Sequence, residues 1–191
     1  DECIRSINIA LEDCLASNPN LNIKEVYVGI AGHHIKSLQT RGDRVINNVE
    51  EEIRKEDIDA LIKDQYKTFI PANDQIIDII PQDFTVDTLE GFSLQEVVGM
   101  TGVRIGANFH IVTGDKSAIR NIHRCVQRAG LSTKDLVLQP LASAAAVMCD
   151  EDFESGVAIV DIGGGTTDLA IFHEGMLKHT VVIPIAGVNI T

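Results

Sequence analysis

The sequence predicts an α/β fold, and three observations carry that expectation. Apolar residues switch between spacings of three and four, the period of a helix face, and a spacing of two, the period of a strand. The stretch from Val157 to Ile185 reads as three apolar strands joined by short connections. The chain has 191 residues, 45% of them hydrophobic, which is enough to bury a core. That composition excludes disorder as the main state.

Each element follows from local signals. Ile4, Ile7, Leu11 and Leu15 form one helical stripe, ended by Asn18-Pro19. Val26, Val28 and Ile30 alternate as a strand, and a second strand is expected from Ile35 to Gln39. The polar stretch from Gly42 to Lys55, densest at Glu50-Glu51-Glu52, reads as a subdomain border. Ile58, Leu61, Ile62 and Tyr66 mark the next helix, whose start at Glu56-Asp57 suits the helix dipole. Pro71 to Asp74 breaks the chain. From Ile76 to Asp87 the residues are strand-like, with Pro81 restricted to an edge or a bend because it has no N–H to donate. Gly91 to Gly102 is expected as a loop. Arg104 to Thr113 alternates again, with Ile105, Ala107, Phe109 and Ile111 on one face. Asp115 caps a helix bearing Ile119, Ile122 and Val126, and Gly130 closes it. Leu136 to Leu138 is a short strand, Pro140 opens a small-residue helix through Val147, and Asp150 to Gly156 is an acidic connector. The last strands are Val157–Ile162, Leu169–His173 and Leu177–Ile185.

Charge and cysteine content narrow the function. Sixteen Lys and Arg against 28 Asp and Glu give a net charge of −12, and no basic run exceeds two residues. Nucleic acid and anionic lipid, which reward clustered cations, are not expected partners. No apolar run approaches the roughly 20 residues that span a bilayer. The chain begins without Met and is expected to be an internal piece of a larger protein. Cys3, Cys14, Cys125 and Cys149 match no zinc spacing and are expected to be reduced and mostly buried. His33-His34 would point to opposite faces of a strand, a poor chelate. Gly114-Asp115-Lys116-Ser117 lacks the spacing of a Walker P-loop.

The segment that carries chemistry is Asp161-Ile162-Gly163-Gly164-Gly165-Thr166-Thr167-Asp168, lying between two apolar strands. Three residues without side chains let a backbone approach a phosphate closely, and successive N–H groups in such a turn make an anion-binding concavity. Thr166 and Thr167 add hydroxyls, and Asp161 at the loop mouth suits Mg2+ held through water, because Mg2+ dehydrates reluctantly.

This loop resembles the second phosphate loop of the actin-like ATPases, a superfamily that includes actin and the sugar kinases. More narrowly, the chain resembles the FtsA family of bacterial division proteins. The resemblance rests on Gly29 to Ile35, Ile80-Pro81-Gln82, Gly99 to Arg104, Leu141-Ala142-Ser143 and Val182-Ile183-Pro184, and it runs through essentially all 191 residues in order. It implies actin-like (ribonuclease H-like) lobe pieces around a nucleotide cleft, with a small inserted α+β subdomain of the FtsA type. Residues 1–43 would be the first part of lobe one. Residues 44–113 would be the insert, built from a helix over 56–67 and strands near Ile76, Phe84 and Ile105. Residues 114–150 would return to lobe one with the interlobe helix, and 151–191 would begin lobe two with the phosphate hairpin.

The resemblance also implies roles. Gly163, Gly164, Gly165, Thr166 and Thr167 would cradle the β- and γ-phosphates of ATP, Asp161 would stand on the Mg2+ side, and Asp168 would brace the hairpin. The whole protein would bind ATP with Mg2+, FtsZ and, through a C-terminal amphipathic helix, the cytoplasmic membrane at the division septum. The first phosphate loop, the adenosine-contacting segment, the FtsZ site and the membrane helix would all lie outside this chain. The insert would serve self-association and the binding of later division proteins. No general base is identifiable, so at most weak ATPase activity is expected. His110, opposite the Ile105 face, is read as a surface or hydrogen-bonded histidine and not as a catalytic one. Two alternatives share the loop: a pilus-assembly platform related to FtsA, and a sugar-kinase-type enzyme, for which no acceptor site is seen.

Overall fold

The structure is a computed structural model that describes residues 2–32, 34–46 and 52–190. His33 and Glu50-Glu51 therefore lie outside the described residues. Among those described, three sheets organise the chain.

The first sheet pairs β1 (Glu25–Ile30) in parallel with β6 (Ser132–Leu138). The helices α1 (Glu2–Ser17) and α4 (Lys116–Arg128) precede these strands and pack against each other. The stripe read in α1 is half-buried at Ile4, Ile7, Leu11 and Leu15, and no residue of the helix is fully buried. Asp115 caps α4 by accepting from the Ser117 and Ala118 N–H groups, both at 2.9 Å, and Gly130 follows the helix with φ +81°.

The second sheet is antiparallel in the order β2-β5-β3-β4, from β2 (Ile35–Val45), β3 (Asp74–Val86), β4 (Leu89–Phe92) and β5 (Arg104–Asp115). Ile105, Ala107, Phe109 and Ile111 on the central strand β5 are all 0% exposed. They form one core with Ile79, Phe84 and Val86 of β3 and with Ile58 and Leu61 of α2 (Lys55–Gln65). The opposite face of β5 is also buried, at Gly106, His110 and Val112.

Three local expectations change. The strand expected over 35–39 continues to Val45, straight through the polar stretch that reads as a border, because β5 pairs with it from Gly114 to Arg104. Gly42 lies inside this strand, where a Cβ would collide with the side chain of Gln65 on α2. The loop expected over 91–102 contains the end of β4 and a short helix, α3 (Leu94–Val97). Glu96 fixes the start of α3 by accepting from the Ser93 N–H and hydroxyl, both at 2.8 Å. The acidic connector is also helical, as α6 (Asp150–Ser155), with Asp152 accepting from the Cys149 N–H at 3.0 Å.

Pro81 sits where its chemistry permits. It pairs with Phe109 on one side, next to a register shift, and β4 reaches only Phe84 to Val86 on the other. The cysteines are less buried than expected. Cys3, Cys14 and Cys149 are exposed, Cys125 is half-buried, and all four are free thiols. Each exposed cysteine lies on the open side of a helix or at its cap.

The third sheet is a meander of β7 (Val157–Ile162), β8 (Thr167–His173) and β9 (Met176–Ile183). Glu174 (φ +54°) and Gly175 (φ +70°) form its second turn, with the paired positive φ values that match strand twist in a two-residue hairpin. The inner face of this sheet packs Ala170, Phe172 and Leu177 around Ala144 of α5 (Gln139–Val147). The sheet also meets the second one. Gln82 on β3 donates to the Leu177 carbonyl, and Lys178 pairs with Asp83 at 3.1 Å.

Candidate functional site

The glycine hairpin links two apolar strands in full register, Ile162 opposite Thr167 and Asp161 opposite Asp168. The Gly163 N–H donates to the Thr166 carbonyl at 2.9 Å and closes the turn. The carbonyls of Gly163 and Gly164 accept from the N–H groups of Gly187 (3.1 Å) and Val188 (3.0 Å), at the start of α7 (Gly187–Ile190). A trans peptide directs its N–H opposite to its C=O. The amides of Gly164 and Gly165 therefore point away from α7.

Gly164 and Gly165 are not demanded by the chain's own conformation, whereas a Cβ at Gly163 would press on the Thr166 carbonyl oxygen at 3.1 Å. None of Gly163, Gly164 and Gly165 has a left-handed φ. A Cβ at Gly164 or Gly165 would meet nothing within 4 Å. Both residues are exposed, so the space a side chain would fill is open to a ligand. Bare backbone, outward amides and an adjacent carboxylate fit a hydrated Mg2+–phosphate group.

The structure brings Asp161 together with two residues that the sequence did not single out as site residues. Its Oδ2 accepts from the Ser143 hydroxyl at 2.9 Å and from Gln139 Nε2 at 3.4 Å, both on α5. Ser143 and Gln139 are the two polar residues of a helix otherwise made of apolar ones, and those polar exceptions were the available signal. The two threonines differ. Thr167 Oγ1 donates to the Ile185 carbonyl at 2.7 Å, so its hydroxyl proton is committed within the chain. Thr166 Oγ1 makes a longer bond, 3.4 Å, to Asp168 Oδ2.

Asp168 is buried at 3% exposure, and its Oδ1 has no partner among the described residues. Burial pushes its carboxyl above the usual range, the Thr166 hydrogen bond opposes this, and the charge of Asp161 adds to it. Among the described residues no cluster of three or more His, Cys, Asp or Glu is arranged to hold a metal. Asp161 has a second carboxylate, Asp168, directly opposite it across the β7–β8 pair.

His110 is buried, with its Nε2 3.0 Å from Thr180 Oγ1 on β9. Its Nδ1 has no partner among the described residues. Burial first, and then the charge of His179, hold His110 below its ordinary value. It joins two sheets and does not face the glycine hairpin. No helix among the described residues is long and apolar enough to cross a membrane.

Similarities to known proteins fall on these same parts. The family described as the SHS2 domain inserted in FtsA matches residues 32–113, which cover most of the β2-β5-β3-β4 sheet and its helices. The family described as cell division protein FtsA matches residues 158–191, which hold the glycine hairpin. Over all 191 residues the chain is 40% identical to the cell division protein FtsA of Pseudomonas aeruginosa and 39% identical to that of Neisseria meningitidis serogroup B. That of Bacillus subtilis is 34% identical over the same length. The chain spans 45%, 45% and 43% of these relatives, respectively. Among solved structures, a PilM-PilN type IV pilus biogenesis complex aligns with a TM-score of 0.64 at 14% identity, over 98% of this chain and 49% of that one. That likeness is one of fold, and it supports the actin-like architecture.

Proposed function

Because the chain belongs to the FtsA family of cell-division proteins, we propose that its protein is an ATP-binding, actin-like adaptor that links FtsZ filaments to the cytoplasmic membrane at the septum. The observation that carries this reading is the glycine hairpin, open above Gly164 and Gly165, on a chain that also holds an SHS2-type insert. The backbone of Gly163 to Thr166 receives the β- and γ-phosphates, and Asp161 faces the hydrated Mg2+. When bound, ATP·Mg2+ supplies the phosphate charge that these groups neutralise. Ser143 and Gln139 hold the Asp161 carboxylate in position, which ties the hairpin to α5, the helix that joins the two lobes. Asp168 and Thr167 brace the loop from within. This reading assigns the protein at most weak ATP hydrolysis.

Residues 1–43 and 114–150 belong to lobe one and 151–191 to lobe two in this reading. The inserted unit, expected over 44–113, draws on the whole of β2 as well. Its outer surface carries self-association and recruits later division proteins. Phe69, 94% exposed between α2 and β3, is the most exposed of the large apolar side chains described there, which include Val45, Tyr66, Leu89, Leu94, Val98 and Val103. Membrane and FtsZ contacts are assigned to parts of the protein beyond this chain.

The test uses the full-length protein, lipid vesicles, ATP·Mg2+ and FtsZ filaments. Filaments are expected to gather on the vesicles, and to stop doing so when the FtsZ tail is removed. A folded, ATP-bound protein that gathers no filaments would shift the reading to a pilus-type platform.

A further inference from the structure

We propose that a buried water molecule joins Asp168 to Thr180 and completes a polar relay from the glycine hairpin to the inserted sheet. A cavity of about 40 Å³ lies where the three sheets meet. Leu138 at the end of β6 lines it from the first sheet, Ile35 and Ser37 of β2 from the second, and Asp168 of β8 and Thr180 of β9 from the third. Thr180 pairs with Ala170, two residues along from Asp168, so both side chains leave the same face of the third sheet.

A cavity of this size has room for a water molecule, which is held only where it finds about two to four polar partners. Asp168 supplies the first. It is 3% exposed, and its Oδ1 has no partner among the described residues. Thr180 supplies the second, because a hydroxyl that accepts one hydrogen bond still has its own proton to donate. Lys36 also lines the cavity, but its ammonium is engaged by Asp74 at 2.9 Å. Water is therefore left to satisfy the buried carboxylate oxygen.

The relay has a direction. A neutral imidazole carries one proton, on the nitrogen that has an acceptor. His110 Nε2 has Thr180 Oγ1 at 3.0 Å, whereas Nδ1 has no partner among the described residues. The Nε2–H donates to Thr180, the Thr180 hydroxyl to the water, and the water to Asp168 Oδ1. At the hairpin end, Thr166 Oγ1 donates to Asp168 Oδ2 at 3.4 Å. One carboxylate thus takes donors from the hairpin on one oxygen and from the insert on the other. Hydrogen bonds in such a chain polarise one another, so a ligand that takes the Thr166 hydroxyl is felt at His110.

The full-length protein is tested without nucleotide, so the outcome is independent of the ATP reading. Its crystal structure is expected to show an ordered water within hydrogen-bonding distance of both Asp168 Oδ1 and Thr180 Oγ1. Nitrogen-15 spectra of the histidine rings should show His110 as the Nε2–H tautomer. The His110 resonance should move in Asp168→Asn and in Thr166→Val, neither of which touches the ring, while His123 on α4 stays fixed. In urea, the rise in unfolding constant of Asp168→Asn combined with Thr180→Val should fall at least five-fold short of the product of the two single rises. Thr180→Ser keeps the hydroxyl and should keep the His110 tautomer. A dry cavity, an Nδ1–H tautomer, a His110 resonance indifferent to Asp168→Asn, or single effects that simply multiply would overturn the proposal.

Discussion

Gly164 separates folding from binding. Its Cβ position is empty to 4 Å and its φ is not left-handed, so a larger residue meets no part of the chain. Exposed substitutions without a structural role change stability by about 0.5 kcal/mol or less. Gly164→Val is therefore expected to keep the unfolding midpoint of the nucleotide-free protein and to weaken ATP·Mg2+ binding at least ten-fold, read by calorimetric titration of the full-length protein. Unchanged affinity would remove the hairpin from the nucleotide site. The hairpin was legible from sequence because the glycines stand inside Asp161 to Asp168, with a carboxylate before them and two threonines after, between apolar strands; three glycines alone would not have marked it. The bracing of Asp161 by Ser143 was not, because its partner lies 18 residues away on another element. The committed hydroxyl of Thr167 was hidden for the same reason, its acceptor being the Ile185 carbonyl.

Among the elements, β5 and β9 are joined through one polar contact, His110 to Thr180. Thr180→Val keeps the shape and removes the only partner of the buried Nε2 among the described residues. An unsatisfied buried donor or acceptor costs about 1–3 kcal/mol, and urea unfolding should register that loss. The contact also sets a pH dependence. Burial and His179 depress His110, so the folded chain gives up this proton more readily than the unfolded chain. The stability linked to His110 is whole above the ordinary histidine value, about 6.5, and is lost as pH falls through the depressed value. In His110→Gln the loss between the ordinary value and the depressed one should be smaller than in the parent, measured as the difference between their unfolding free energies from pH 7 to pH 5. An identical pH profile in both proteins would mean that His110 is exposed to water. The alternation of Arg104 to Thr113 announced one buried face of β5. The second face is buried because β9 and neighbouring residues cover it, and a period of two cannot report that.

At the scale of the whole molecule, the inserted sheet has its own core and offers large apolar side chains to solvent. Phe69 is the most exposed of them, at 94%. Phe69→Ser is expected to leave stability unchanged within about 0.5 kcal/mol. It should also reduce the ATP-dependent sedimentation of the full-length protein at least two-fold, if this surface carries self-association. Undiminished sedimentation would move that contact to another face of the insert. The acidic balance, a net −12, belongs to this scale too, since it sets the field met by any approaching polyanion.

By itself, the sequence determined the type and order of most elements, the face of β5 that enters the inserted core, the cap of α4, and the glycine hairpin with its flanking strands. These are local properties: a hydrophobic period, a capping side chain, a run of glycines, each written within a dozen residues. Short elements were missed where four to six residues leave too few repeats of a period to recognise, as in β4, α3 and α6. Tertiary structure decided that β2 runs through the polar stretch to Val45, because β5 supplies partners along its whole length. It also decided that α5 holds Asp161 and that β9 closes over His110. Each of these joins residues far apart in the chain, and only the packing of separate elements brings them within reach.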